Sequence, residues 1–284
     1  MKRSIVLPGL ALAGGAAGFW LRRLQLAQVY DPETMLFRSG SPITYGLLGL
    51  LAVLALVFLL STRGGRKPGD FLPAFRCAAP LYMTLMAVSA FLFLGAGVLG
   101  LLEGMEEIAI WRMGYGQATY PISLTLCAAL CFPAGMASLL MGRAAYRGKL
   151  TSSVGLLICF PSFVGLVWLF ASHLSNGTDP VLMGYVFSLG AVALLMLAQY
   201  YAAGFLFGRC CPKRMMLCAL MGIPLGLVSL ADGLSRFAAV LTLAFVVSAL
   251  ALSSALLENC FGPEPSSPEA EGESAPVNDL DEGV

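Results

Sequence analysis

The sequence predicts an all-α integral membrane bundle of eight transmembrane helices, and three observations predict it. Of 284 residues, 58% are hydrophobic and only 12% charged, where an ordinary soluble domain carries about 25% charge. Mean hydropathy is +0.82. Eight apolar stretches, none enclosing a Lys, Arg, Asp or Glu, occupy most of the chain. A crossing takes about 20 apolar residues at 1.5 Å rise, and backbone groups in lipid must bond internally, so such stretches are helices. The alternating pattern of a membrane barrel is absent.

The spans run Ser4–Leu21, Ile43–Ser61, Pro80–Leu102, Tyr120–Met141, Thr151–Ser172, Val181–Phe207, Met215–Ala231 and Phe237–Leu257. The first follows Met1-Lys2-Arg3 and is Ala-rich, like a signal peptide; its length to Leu21 favours an uncleaved helix. Between spans one and two, Asp31-Pro32-Glu33-Thr34 reads as a turn. Segment 62–79 is rich in Gly, Pro and basic residues and is expected against anionic headgroups. Met105, Ile108, Trp111 and Tyr115 fall at helical spacing after the third span, which predicts a short interfacial helix there. Only Asp232–Arg236 separates the last two spans, so they form a tight hairpin. Residues 1–261 thus make one membrane domain. Residues 262–284, acidic and Pro-rich, predict a disordered cytoplasmic tail.

Net charge is +1, yet from Glu258 onward there are eight acids and no Lys or Arg. With the amino terminus inside, inner segments hold twelve basic residues and outer ones five. Lys and Arg are retained on the cytoplasmic side, which places both termini in the cytoplasm of a bacterial inner membrane. Arg22 and Arg23 run against that rule, and their stems are expected to snorkel to headgroup level. Trp20, Trp111 and Trp168 fall near the outer interface. Gln199, Tyr200 and Tyr201 are assigned to an inner aromatic belt.

The eight cysteines fall within spans or on the inner side, which argues against a disulfide-bridged ectodomain. With one histidine, they complete no metal set of recognisable spacing; no cofactor is expected. Pro133, Pro161 and Pro224 sit near mid-span and free the carbonyls of Ala129, Leu157 and Leu220. Such breaks line substrate sites in transporters, although proline kinks are also ordinary in membrane helices. Ser123 and Ser162 are the nearest polar side chains, so these five residues mark a candidate cavity. Arg22, Arg23, Asp31, Glu103, Glu106, Glu107, His173 and Asp232, with Asp179, form a candidate outer rim, or else solvated helix-end charges. Glycines four residues apart, at Gly14 and Gly18, Gly100 and Gly104, Gly222 and Gly226, predict close helix approach.

The run Gly14-Gly15-Ala16-Ala17-Gly18-Phe19, then Leu21-Arg22-Arg23-Leu24-Gln25-Leu26-Ala27 and Asp31-Pro32-Glu33-Thr34, resembles the start of an uncharacterised group of bacterial multi-spanning membrane proteins. The likeness covers roughly the first 45 residues. It implies a role for the Arg-Arg and Asp-Pro elements and no known activity.

No ionisable group lies within a span, which weighs against a proton-driven pump. No His-Glu-x-x-His pair, Walker sequence, Rossmann fingerprint or nucleophile elbow is present, so the chain is not expected to be an enzyme. Two functions remain. One is a permease for an uncharged or amphipathic small molecule, passing between the proline-bearing spans four, five and seven. The other is a non-catalytic partner or sensor that binds other membrane subunits or itself, with its acidic tail on a basic protein. The bilayer is the expected surrounding in both, and nucleic acid in neither.

Overall fold

The computed structural model describes residues 3–262 other than 32, 35, 67, 78, 116–117, 150–151 and 177–180. The expected acidic tail beyond Gly262 and Asp179 lie outside the described residues. Among the described residues ten α-helices follow one another: α1 (Arg3–Gln28), α2 (Pro42–Ser61), α3 (Phe71–Phe75), α4 (Pro80–Arg112), α5 (Thr119–Arg147), α6 (Ser152–Leu157), α7 (Phe160–Asn176), α8 (Val186–Gly204), α9 (Pro212–Ser229) and α10 (Arg236–Phe261). A two-stranded antiparallel hairpin, β1 (Tyr30–Asp31) and β2 (Leu36–Phe37), joins α1 to α2. Eight helical segments are long and apolar enough to cross a membrane, with α6 and α7 sharing one of them from Gly155. They are the eight spans read from the sequence.

Helix α10 is the most buried of these segments and α2 the least. Around α10 stand α4, α9, α1 and α8; α5 packs on α4 and α7, and α7 on α8. Apolar burial earns little between helices in lipid, so packing rests on small residues and internal hydrogen bonds. Both are present. Ser89 Oγ donates to the Ala244 carbonyl at 2.9 Å, tying α4 to α10. Gln199 Nε2 donates to Ser248 Oγ at 2.8 Å, tying α8 to α10. Phe93 and Phe245 meet edge to face at 5.1 Å in the same layer. Gln199 is therefore a core cross-link and not part of a headgroup belt, because α8 turns it inward while Tyr200 faces out.

The glycine steps do bring helices together. A Cβ at Gly100 would lie 2.8 Å from Ala128 Cβ, and one at Gly226 2.7 Å from Val246 Cγ2. At Gly15 it would lie 3.0 Å from the Cα of Pro224, backbone against backbone. Such approach is open only to glycine.

Three elements depart from expectation. No separate interfacial helix follows span three: α4 continues to Arg112, since its charged last turns keep the helical hydrogen bonds beyond the apolar part. The basic segment after α2 contains α3, whose Phe71 and Phe75 are fully buried, with Phe75 edge-on to Phe205 at 5.2 Å. Trp168 faces the bundle and not its surface. It is buried edge-on against Phe237, ring centres 5.0 Å apart.

Candidate functional site

Helix α1 runs past its apolar part to Gln28, and its last turns carry Arg22 and Gln25 on one face, three residues apart. Both are buried with no exposed surface. The guanidinium of Arg22 is held on three sides. Its Nε donates to Asp232 Oδ1 at 2.6 Å, Nη1 to Gln25 Oε1 at 2.7 Å, and Nη2 to the Met183 carbonyl at 2.8 Å. Gln25 Nε2 in turn donates to Thr44 Oγ1 at 2.8 Å. The chain of bonds thus links α1, the start of α2, the 3-10 turn Leu182–Gly184 before α8, and the turn between α9 and α10.

Aromatic rings flank the cation. The Phe187 ring lies 4.9 Å and the Phe37 ring 5.3 Å from its central carbon, distances at which the ring quadrupole attracts a cation. Phe37 belongs to the β1–β2 hairpin, which therefore roofs the ion pair. Asp31 stands at the hairpin's turn, where its Oδ1 accepts from the Glu33 amide at 3.1 Å. Below the pair, Leu47, Leu51, Phe187 and Val228 make a small apolar cluster of their own, separate from the main core. Sequence reasoning grouped Arg22, Asp31 and Asp232 in one rim but none of the aromatic and apolar residues around them.

Removing a lone guanidinium from water costs several kcal/mol, and only a well-placed counter-charge with further hydrogen bonds offsets it. Arg22 has both. Asp232 is less completely served: its side chain is 4% exposed, and its Oδ2 is buried with no partner among the described residues. The expected snorkelling of Arg22 is thus overturned, because a carboxylate, an amide and a carbonyl meet the guanidinium inside the protein. Arg23, one residue on, is exposed, its guanidinium carbon 6.0 Å from the Phe19 ring centre.

The rest of the expected rim disperses. Glu103 Oε1 accepts from the Phe237 amide at 2.9 Å and, with Ser235 Oγ accepting from Ala238, caps α10; it is a structural capping group, not a solvated charge. Glu106 and His173 are exposed and Glu107 is half-buried. Among the described residues of the rim, only Arg22 and Asp232 meet.

The proline set divides as well. Pro133 lies inside α5 and Pro161 in the first turn of α7, two helices that pack on each other. Pro224, inside α9, faces Gly15 of α1. Pro161 does break its span: α6 stops at Leu157 and α7 starts at Phe160. Ser162 Oγ beside the break is buried without a partner. Ser123 Oγ donates to the Thr119 and Tyr120 carbonyls of its own helix.

Among the described residues no three His, Cys, Asp or Glu converge as metal ligands. Burial, then the nearby Asp70 and Cys211, push the Cys210 thiol up, against the thiolate that metal binding or nucleophilic attack needs. The arrangement can therefore bind, orient and occlude. No family model, curated protein or solved structure matches the chain.

Proposed function

We propose that the chain is a permease-like membrane protein for a net-neutral, amphipathic small molecule, admitted at the end that carries Arg22 and Asp232. The carrying observation is the sealed ion pair. Buried ionisable groups in membrane helices are expensive and mark solute paths, and this one joins four separate parts of the bundle under a hairpin roof. Its charges sum to zero, so a charged solute would leave an uncompensated charge where a neutral one does not. The apolar cluster beneath suits an apolar body. The path assigned here runs beside α1, α2, α8 and α9, and so replaces the expected one between spans four, five and seven. The basic connectors lie by the opposite end, which supports a reading with the Arg22 end outside and both termini in the cytoplasm of a bacterial inner membrane.

Comparative uptake profiling tests this. Cells lacking the gene are complemented with the natural chain or with Arg22→Met/Asp232→Leu, which keeps the packing and removes both charges. One or more neutral solutes should enter only with the natural chain. Equal uptake of every solute by both strains sinks the reading.

A second reading, a membrane-embedded partner subunit, is favoured by one observation. Helix α2 is the least buried span, and Gly46 and Gly49 on it have nothing within 4 Å of a Cβ position, a surface suited to another helix. Purification in mild detergent with co-eluting membrane subunits, abolished by Gly49→Leu, would select it.

A further inference from the structure

The two oxygens of Asp232 have unequal surroundings. Oδ1 is taken up by Arg22, while Oδ2 is buried with nothing to accept from among the described residues. A buried acceptor of this kind calls for a donor. Arg22 shows the converse. Of its five N–H groups, one each on Nε, Nη1 and Nη2 donates as described, which leaves one on each terminal nitrogen. Vacant acceptor and vacant donors thus stand together within a single net-neutral pair.

The geometry points to a site for a zwitterionic head group: a primary ammonium on Asp232 Oδ2, with an anionic oxygen on the remaining N–H groups of Arg22. This rests on the permease reading for the opening of the hairpin roof. Charge balance selects the class. An ammonium alone would bury an extra positive charge and an anion alone an extra negative one; a zwitterion adds neither. N–H donors are essential, since a trimethylated nitrogen would seal Oδ2 off with its hydrogen-bonding capacity unmet. Phe187 and Leu47 offer the apolar body a surface next to the head group. Asp232 is the last residue of its crossing segment, and that depth is shared by two sources of this chemistry: an aminophospholipid of the bilayer and a free amino acid.

The test uses the full chain in phosphatidylcholine nanodiscs. Phosphatidylethanolamine and its mono- and dimethyl derivatives are added in turn, and bound lipid is counted by native mass spectrometry. Hydrogen exchange of Tyr30–Phe37 is followed in parallel, also with millimolar glycine or leucine. All three keep at least one N–H for Asp232 Oδ2, so each should be retained over the surrounding phosphatidylcholine about tenfold, the worth of one charge-assisted hydrogen bond. Protection of the hairpin by leucine without lipid selectivity supports the proposal with a free zwitterion as ligand. Retention of none of the three above phosphatidylcholine, with no protection by either amino acid, overturns it. The Asp232→Asn variant should lose the preference, and a folded variant that keeps it overturns the proposal too. The methylation series needs no variant, so it decides even if that substitution unfolds the protein. Selective binding without uptake sinks the permease reading alone, whereas uptake without head-group preference sinks this one alone.

Discussion

At the scale of single residues, the chain's most consequential placement is a charge that points inward. Truncating one member of a fully enclosed ion pair strands the other, at a cost of about 3–5 kcal/mol, while replacing both with well-packed apolar groups is often neutral. Arg22→Met alone and Asp232→Leu alone should each lower unfolding stability by about that amount, with the double variant close to the natural chain. Denaturant titration in mixed micelles reads all three. Two additive losses would mean that the residues act separately. Gln199→Leu should cost less, about 1 kcal/mol, as interhelical hydrogen bonds in membranes do. Neither pairing is legible along the chain. The partner of Arg22 lies 210 residues away and that of Gln199 49 away. A basic residue at the end of an apolar run looks like one that reaches for headgroups unless its distant acceptor is known.

At the scale of elements, crossing helices were legible and their edges were not. Composition switches sharply from apolar to charged at Leu102, but a helix is held by its backbone, so α4 carries Glu103, Glu106 and Glu107 on to Arg112. Glycine spacing foretold that α1 would approach a neighbour. That the neighbour would be Pro224 of α9 was not contained in the spacing. Gly15→Ala forces a methyl onto that backbone, and overpacking of this kind costs about 1–3 kcal/mol. Gly9→Ala on the same helix meets nothing and should leave thermal unfolding in detergent unchanged. The break between α6 and α7 has a chemical cause in Pro161, whose ring occupies the place of an amide donor. Pro161→Ala restores that donor to the Leu157 carbonyl. Slower hydrogen exchange over Leu157–Phe163 is the expected result, and unchanged exchange would show that something else holds the two helices apart.

For the whole molecule, eight crossings mean that the described chain starts and finishes at one end. If basic connectors orient the bundle as proposed, alkaline phosphatase fused after Val284 stays inactive and a cytoplasmic fluorescent protein there is bright. The opposite pattern would invert every assignment of inside and outside. The segment after α2 is clamped to the far end of the chain. Arg66 donates its amide to the Cys260 carbonyl at 2.9 Å and its guanidinium to the Gly262 carbonyl. Asn259 Nδ2 donates to the carbonyls of Ala74 and Arg76, each at 2.9 Å. A ribosome makes the second half of that clasp 183 to 196 residues after the first. Until the eighth crossing arrives, Phe71 and Phe75 have only part of their berth, on the side of Phe205. Closure of this end of the bundle thus waits on a single locking event, and a nascent chain stopped short of Asn259 remains open to quality-control proteases at that loop.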